Sequence, residues 1–353
     1  MKKKVLILFG GVSSEHDVSL VSASSVIANI PREKYDVVQM GITKDGRFLL
    51  YKGNAANLPE SAWLKDESLL EPAVISPDRS HHGIIHLTSG EVEYIDAVFP
   101  VLHGKNGEDG TMQGLLEISG IPYVGCDCLS SAACMDKAMT NSVADYNGIP
   151  QAKWTAFTAA EYASNGEELL KNAAEALKFP VFVKPANAGS SVGISKAKNA
   201  SELKTACETA FEHDRKIVLE EAITGREVEC AVMGNDEPVA STVGEIIPCN
   251  DFYDYEAKYI DDGSKLCIPA EIPAEKLEEV RALAVKSYRA LGCSGLSRVD
   301  FFIREGDGTV MLNEINTIPG FTSISMFPKL FGAVGIPYAG LIDRLFEYAI
   351  ERK

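Results

Sequence analysis

Residues 181–195 read VFVKPANAGSSVGIS, an apolar run that stops at Lys184 and Pro185 and opens into small residues around Gly189, Ser190, Ser191 and Gly193. Two chemistries compete for these letters. GSSVG satisfies the G-x-S-x-G pattern of a hydrolase nucleophile elbow. A strand lysine followed by a glycine-serine turn can instead wrap phosphate oxygens with its ammonium, amides and hydroxyls. The elbow requires a histidine later in the chain, in the order Ser, acid, His. The only later one is His213, close behind in the polar stretch AFEHDRK, so the elbow fails on inventory. A P-loop fails as well, because G-x-x-x-x-G-K-[ST] occurs nowhere and the lysine here precedes the glycines.

The surrounding chain has room for several cores. Its 353 residues exceed what one hydrophobic core organises, and 46% hydrophobic with 24% charged residues is an ordinary globular composition. A formal net charge of -16 argues against non-specific nucleic-acid binding, so any polyphosphate ligand must be met by local cations. The N-terminal MKKKVLILFGG imitates a signal peptide, but Val5 to Phe9 is too short for its apolar region, and the stretch reads as a first strand of a cytoplasmic, non-membrane protein. The eight cysteines are scattered without a C-x-x-C pair, which suggests neither a zinc module nor a disulfide framework. His81, His82 and His86 lack acidic or thiol partners at metal-ligand spacing and read as incidental residues of an exposed hairpin.

Along the first third, VLILF, YDVVQMGIT and DAVFPVLHG alternate with the helical patterns SEHDVSLVSASSVIANI and TMQGLLEISG. That alternation predicts a parallel sheet with crossover helices, whose ligands gather at the carboxyl ends of the strands. Two helices flanking shorter strands follow. KIVLEEAI, EVECAVMG and PVASTVGEIIP then read as antiparallel strands, and the composition changes near residue 224. The expected units are 1–125, 126–223 and 224–353.

The strongest chemical signal is the last hairpin, RVDFFI and TVMLNEIN around the turn REGDG. Strand alternation puts Arg298, Asp300 and Phe302 on one face, and Glu314 with Asn316 on one face of the partner strand. If the turn centres near Asp307, Asp300 falls opposite Glu314, and directly opposed carboxylates are destabilising unless something positive lies between them. Asp300, Glu314 and Asn316 offer oxygen-only ligands that suit a hard cation, with magnesium bridging to substrate phosphates the natural candidate. Arg298 sits where it can stabilise developing negative charge. An isolated pair of acids would be read as a solvated face, but an Asn and an Arg on the same faces, followed at once by TIPGFTS, favour the cation.

Taken together, GGVSSEHDVSLVSA, LHGKNGEDGTMQGLLE, SSAACMDKAMTN, VKPANAGSSVGISK, FYDYEAKY, LSRVDFF and NEINTIPGFTS resemble, in this order, the motifs of the D-alanine:D-alanine ligases of the ATP-grasp superfamily. The resemblance covers nearly the whole chain. It implies an α/β fold of three domains: an N-terminal parallel-sheet domain, and central and C-terminal domains that grip ATP between their sheets. By matched position, Lys137 and Lys184 would hold the ATP phosphates, with Ser191 in the loop over them. Glu220, Glu221 and the backbone to Ile223 would meet the adenine, and Glu227 the ribose. Asp300, Glu314 and Asn316 match the ligands of two magnesium ions, for which manganese substitutes. Glu15 matches the residue that engages the first D-alanine's ammonium, with His103 nearby and Arg298 on its carboxylate; Ser190 and Tyr259 would complete a hydrogen-bonded triad with Glu15. Lys258 resembles a mobile-loop lysine over the γ-phosphate, and Gly320 and Ser325 match groups at the intermediate and at the second substrate's carboxylate.

The implied chemistry is activation of one amino acid's carboxylate as an acyl phosphate, followed by attack of the second amine, for peptidoglycan precursors. Neither step needs an enzyme nucleophile, so positioning and charge neutralisation carry catalysis. Tyr259 is a candidate base for that amine, or else it orders the loop DYEAKYIDDG; the sequence leaves both open. Tyr259 accompanies amide-forming relatives, whereas phenylalanine there accompanies depsipeptide formation. Met326 and Tyr253 stand where D-serine-preferring relatives tend to carry Arg and Phe, and Ile324 where many ligases carry His. D-alanine in both sites is the expectation, with D-serine as the alternative acceptor and nucleotide binding without turnover as the alternative class. The resemblance further implies a homodimer.

Overall fold

The computed structural model describes residues 2–189, 192–247 and 265–352. Ser190, Ser191, Tyr253, Lys258 and Tyr259 lie outside them. Among the described residues there are three sheets, met in chain order.

The first sheet is built from β1 (Lys3–Gly10), β2 (Tyr35–Ile42), β3 (Phe48–Tyr51), β4 (Leu70–Ile75), β5 (Gly83–His86), β6 (Val92–Tyr94) and β7 (Ala97–Pro100), in the order β6-β5-β4-β3-β2-β1-β7. The three runs singled out in the sequence are its parallel part: β1 pairs parallel with both β2 and β7. β3 to β6 extend the edge as antiparallel strands, so the sheet is mixed. The central β1 is buried on both faces from Val5 to Gly10, as its unbroken apolar run requires. Gly10 ends it at φ +86, where a Cβ would lie 2.3 Å from the Ile42 carbonyl oxygen. Only glycine turns the chain there, toward Glu15 and helix α1 (His16–Asn29).

Helix α2 (Thr111–Ser119) follows the glycine-rich loop after β7, and α3 (Cys128–Met135) and α4 (Lys137–Tyr146) lead into the second sheet. That sheet is antiparallel, in the order β10-β9-β11-β8, from β8 (Trp154–Thr158), β9 (Val181–Pro185), β10 (Ser195–Ala197) and β11 (Lys216–Glu221). Val181, Val183, Ile217 and Leu219 point into a core with residues of α5 (Ala159–Leu177) and α6 (Ala200–Phe211). By alternation Lys184 and Glu220 occupy the opposite face.

Residues 222–224 link β11 to the third sheet, β14-β13-β12-β15-β16. Its strands are β12 (Gly225–Gly234), β13 (Val239–Ile247), β14 (Lys265–Cys267), β15 (Gly295–Arg304) and β16 (Val310–Asn316), all antiparallel. Val228, Cys230, Val299 and Phe301 pack on one face against α7 (Ala274–Ala290). Helices α8 (Met326–Ala333) and α9 (Tyr338–Glu351) close the chain, and their Phe327, Phe331 and Phe346 share a core with Val5, Phe9 and Phe99 of the first sheet. No described helix is long and apolar enough to cross a membrane.

Candidate active site

The β15–β16 hairpin carries the first half of the site. Asp300 stands opposite Glu314 and Arg298 opposite Asn316. A register shift between Asp300 and Phe301 leaves Asn313 as the extra residue, a β-bulge that brings Glu314 onto the face of Asp300. Asp300 is 2% exposed. Its Oδ1 accepts from Arg298 Nε at 2.8 Å, and its Oδ2 accepts from Arg298 Nη2 at 2.7 Å and Asn316 Nδ2 at 2.9 Å. From the neighbouring strand, Glu229 Oε2 lies 3.0 Å from Arg298 Nε. Burial opposes the guanidinium's charge, but Asp300, Glu229 and Glu314 outweigh it and hold its pKa well above the ordinary value. Among the described residues, three carboxylates thus act on this one guanidinium. No cluster of three His, Cys, Asp or Glu side chains among the described residues forms a ready metal cage. Two carboxylates and an amide fit instead an ion that completes its shell with water and phosphate, which is how magnesium is usually held.

The second sheet supplies the cations. Lys184 Nζ donates to Glu220 Oε2 at 2.6 Å, and Asn141 Nδ2 of α4 donates to Glu220 Oε1 at 3.1 Å. Burial works against the Lys184 ammonium, yet Glu220, with Glu314 and Glu227 further off, raises its pKa. The same contact acts in reverse on Glu220: burial pushes it up, while Lys184, Asn141 and then Lys137 bring it below its usual range. Lys137 owes its place to Asp136, which caps α4 by accepting from the Ala138 and Met139 amides. Its own amide donates to the Ala186 carbonyl and its Nζ to the Ala188 carbonyl, 2.7 Å away. Both lysines therefore flank the start of the 186–195 loop. Glu221 accepts from the Lys153 amide at 2.9 Å, and Ile223 is in the short link between the sheets. The influence of Glu314 and Glu227 on Lys184 puts the two sheets' charged faces in one electrostatic neighbourhood.

The contribution of the loops that follow β1 and β7 is buried. Glu15 precedes α1, and its Oε2 lies where a Cβ on Gly104 would be 2.5 Å away and one on Gly189 3.0 Å. Glu15 thus lies near Gly189, the residue before Ser190. His103 Nδ1 donates to the Ile318 carbonyl at 3.1 Å and its Nε2 is 3.0 Å from Ser22 Oγ, tying α1 to the segment after β16. Glu108 Oε1 is 3.7 Å from His103 Nδ1. Burial and the Glu15 charge push the Glu108 carboxyl up to about 7 against the opposing pull of His103, while Glu108 outweighs burial to raise His103. Gly320 faces Ser325, whose Oγ a Cβ there would meet at 2.8 Å; Ser325 Oγ accepts from the Thr322 amide and opens α8. Met326 is buried, its Sδ and Cε against Gly244 on β13, whereas the neighbouring Ile324 is 61% exposed.

Sequence reasoning missed Glu229 and Glu108. Glu229 was within reach of it, since alternation in EVECAV puts it on the face of Glu227. Glu108 sits in the irregular GKNGEDG loop, where no periodicity tells which side chain turns inward.

A parallel-centred first sheet, and charged faces of two antiparallel sheets joined by three residues, define an α/β ligase of the ATP-grasp fold. The D-ala D-ala ligase N-terminus family matches residues 4–126 and the D-ala D-ala ligase C-terminus family residues 143–347, and the chain belongs to this family. Among its relatives, the D-alanine–D-alanine ligase of Caldicellulosiruptor bescii is 52% identical over 353 residues, covering 99% of this chain and 96% of that one. That of Acetivibrio thermocellus is 51% identical over 363 residues with the same coverage. Among solved structures, the VanG D-Ala:D-Ser ligase from Enterococcus faecalis superposes with a TM-score of 0.91 at 43% identity, over 99% of this chain and 100% of that one. The D-alanine-D-alanine ligase from Coxiella burnetii superposes with 0.86 at 33% identity, over 99% and 96%.

Proposed function

We propose that this protein is the ATP-dependent ligase that joins two D-alanines into D-alanyl-D-alanine for peptidoglycan precursors, through an acyl phosphate. The observation that carries the reading is that Glu314, opposite Asp300, acts on the Lys184 ammonium that contacts Glu220, while the Glu15 carboxylate lies near Gly189 in the loop that follows Lys184. On this reading Lys137 and Lys184 hold the ATP phosphates, Ser191 covers them, Glu220, Glu221 and Ile223 meet the adenine and Glu227 the ribose. Asp300, Glu314 and Asn316 hold two magnesium ions, or manganese in their place, which neutralise phosphate charge. Glu15 and His103 receive the first D-alanine's ammonium end, and Arg298 its carboxylate. Ser190 links Glu15 to Tyr259, Lys258 closes over the γ-phosphate, and Gly320 presents its amide to the intermediate. Ser325, at the start of α8, takes the second carboxylate, where helix amides favour an anion. Tyr253 and Met326 shape the acceptor side. Tyr259, as a phenolate favoured by adjacent Lys258, would accept the proton that the attacking amine must lose; as a neutral phenol it would instead order its own loop.

The units 1–125, 126–223 and 224–353 divide these tasks among amino acid, nucleotide and metal. We place the enzyme in the cytoplasm as a homodimer. D-Alanine-dependent phosphate release from ATP and magnesium tests the reading; folded protein that binds ATP yet releases no phosphate on adding D-alanine would sink it. D-Serine as acceptor is the second reading, favoured by the 43% identity to a D-Ala:D-Ser ligase. Competition between D-alanine and D-serine in the second step separates the two.

A further inference from the structure

We propose that Glu229 is a positioning residue that holds the Arg298 guanidinium in place while Asp300 is engaged by a cation. The proposal rests on the reading of Asp300 as a magnesium ligand. Both Asp300 oxygens accept from Arg298, and Asn316 donates to one of them as well. Three of the roughly four acceptor sites of Asp300 are thus taken, so a cation bound through both oxygens competes with Arg298. An arginine anchored on Asp300 alone would be set loose at the moment its charge is needed.

Glu229 offers the second anchor. It lies on β12 directly across from Asp300 on β15, so its side chain rises from the same sheet face on a different strand. Its Oε2 is 3.0 Å from the same Nε that donates to Asp300 Oδ1. A small change in torsion passes that donor from one carboxylate to the other, and the guanidinium never leaves the face. Glu229 is 4% exposed. Placing a buried carboxylate directly opposite another is unfavourable, and a neutral strand former would pack as well. The arginine it meets offsets that cost.

The test measures Mn2+ binding to the full chain with a non-hydrolysable ATP analogue, by electron paramagnetic resonance, for the parent, Glu229→Gln, Arg298→Gln and the double variant. Glu229→Gln leaves Arg298 wholly on Asp300 and should weaken Mn2+ binding by about tenfold, whereas in the Arg298→Gln background the same change should cost less than about twofold. Equal losses in both backgrounds would mean that Glu229 acts on the cation itself, and no loss in either that it does not act; each overturns the proposal. A parent chain that binds no Mn2+ with nucleotide would instead overturn the metal reading. Nucleotide affinity without metal and the thermal midpoint report whether each variant folds, and Glu229→Thr repeats the test should Glu229→Gln not.

Discussion

Replacing Lys184 by Met in the nucleotide-free protein breaks the buried pair of Lys184 and Glu220, 2.6 Å apart, and leaves a carboxylate on a residue only 8% exposed. Breaking one side of such a pair costs about 3–5 kcal/mol, because the remaining charge is neither solvated nor paired. Asn141 still donates to Glu220, and Lys137 still acts on it, so the lower end, about 3 kcal/mol, is expected here. Glu220→Gln should cost less, about 2 kcal/mol, because Glu227 and Glu314 remain near the stranded lysine. The double variant, with neither charge left, should return to within about 1 kcal/mol of the parent. In calorimetry each kcal/mol corresponds to roughly 4–8 °C for a unit of about 100 residues, so Lys184→Met should lower its transition by about 12–24 °C. The depressed Glu220 carboxyl contributes above its unfolded pKa of about 4.3 and loses that contribution as pH falls through the lower folded value. The raised Lys184 ammonium contributes below its unfolded pKa of about 10.4 and loses it as pH rises through the higher folded value. The Lys184→Met deficit should thus shrink as falling pH neutralises the stranded Glu220, whose carboxyl burial raises once its partner is gone, and the Glu220→Gln deficit as rising pH neutralises the stranded Lys184. A shift under about 2 °C for Lys184→Met, or a double variant no better than the singles, refutes the reasoning.

Gly104→Ala should cut kcat/KM for D-alanine by about a hundredfold with nucleotide affinity unchanged, since its Cβ would displace the Glu15 carboxylate from 2.5 Å and the backbone is at φ +72; parallel kinetics and nucleotide titration check both halves. His86, 2.9 Å from Glu71 and 3.2 Å from Glu93, is raised by those carboxylates against the opposing effect of burial. Its contribution is full below about pH 6.5 and lost as pH rises through the higher folded value. His86→Gln should then cost about 1–2 kcal/mol at pH 5.5 and clearly less at pH 8.5 in urea titrations; equal costs would contradict the pairing. For Glu108, burial keeps a proton on the folded state that the unfolded chain has lost, so stability falls between about pH 4.3 and 7. Glu108→Gln should flatten that slope and be relatively more stable above pH 7, as thermal midpoints at two pH values would register.

Much of the fold was legible because apolar periodicity was strong where burial was two-sided. VLILF, YDVVQMGIT and DAVFPVLHG are the parallel centre of the first sheet, and no polar residue interrupts β1 from Val5 to Phe9. The antiparallel extension from β3 to β6 is less legible. Its strands are three to six residues long and partly exposed, too short for either period to stand out. Lys184 is legible as a strand lysine before a glycine-serine turn, but its partner is not. Lys184 and Glu220 lie 36 residues apart, and only the antiparallel register makes them diagonal neighbours.

The Asp300–Glu314 pairing shows how a correct expectation can rest on two compensating displacements. Strict alternation about Asp307 pairs 300 with 314. The hairpin in fact closes with Ile303 opposite Val310, half a residue off that centre, and this register carried inward would set Asn313 against Asp300. The bulge at Asn313 adds one residue on β16 and moves Glu314 into place. A bulge costs ladder pairing, so its presence at the point where carboxylates converge is an argument in itself. A strand selected only for packing has no reason to exchange a neutral amide opposite Asp300 for a second negative charge. A strand that must present Glu314 and Asn316 together, on the face of Arg298 and toward Lys184, does.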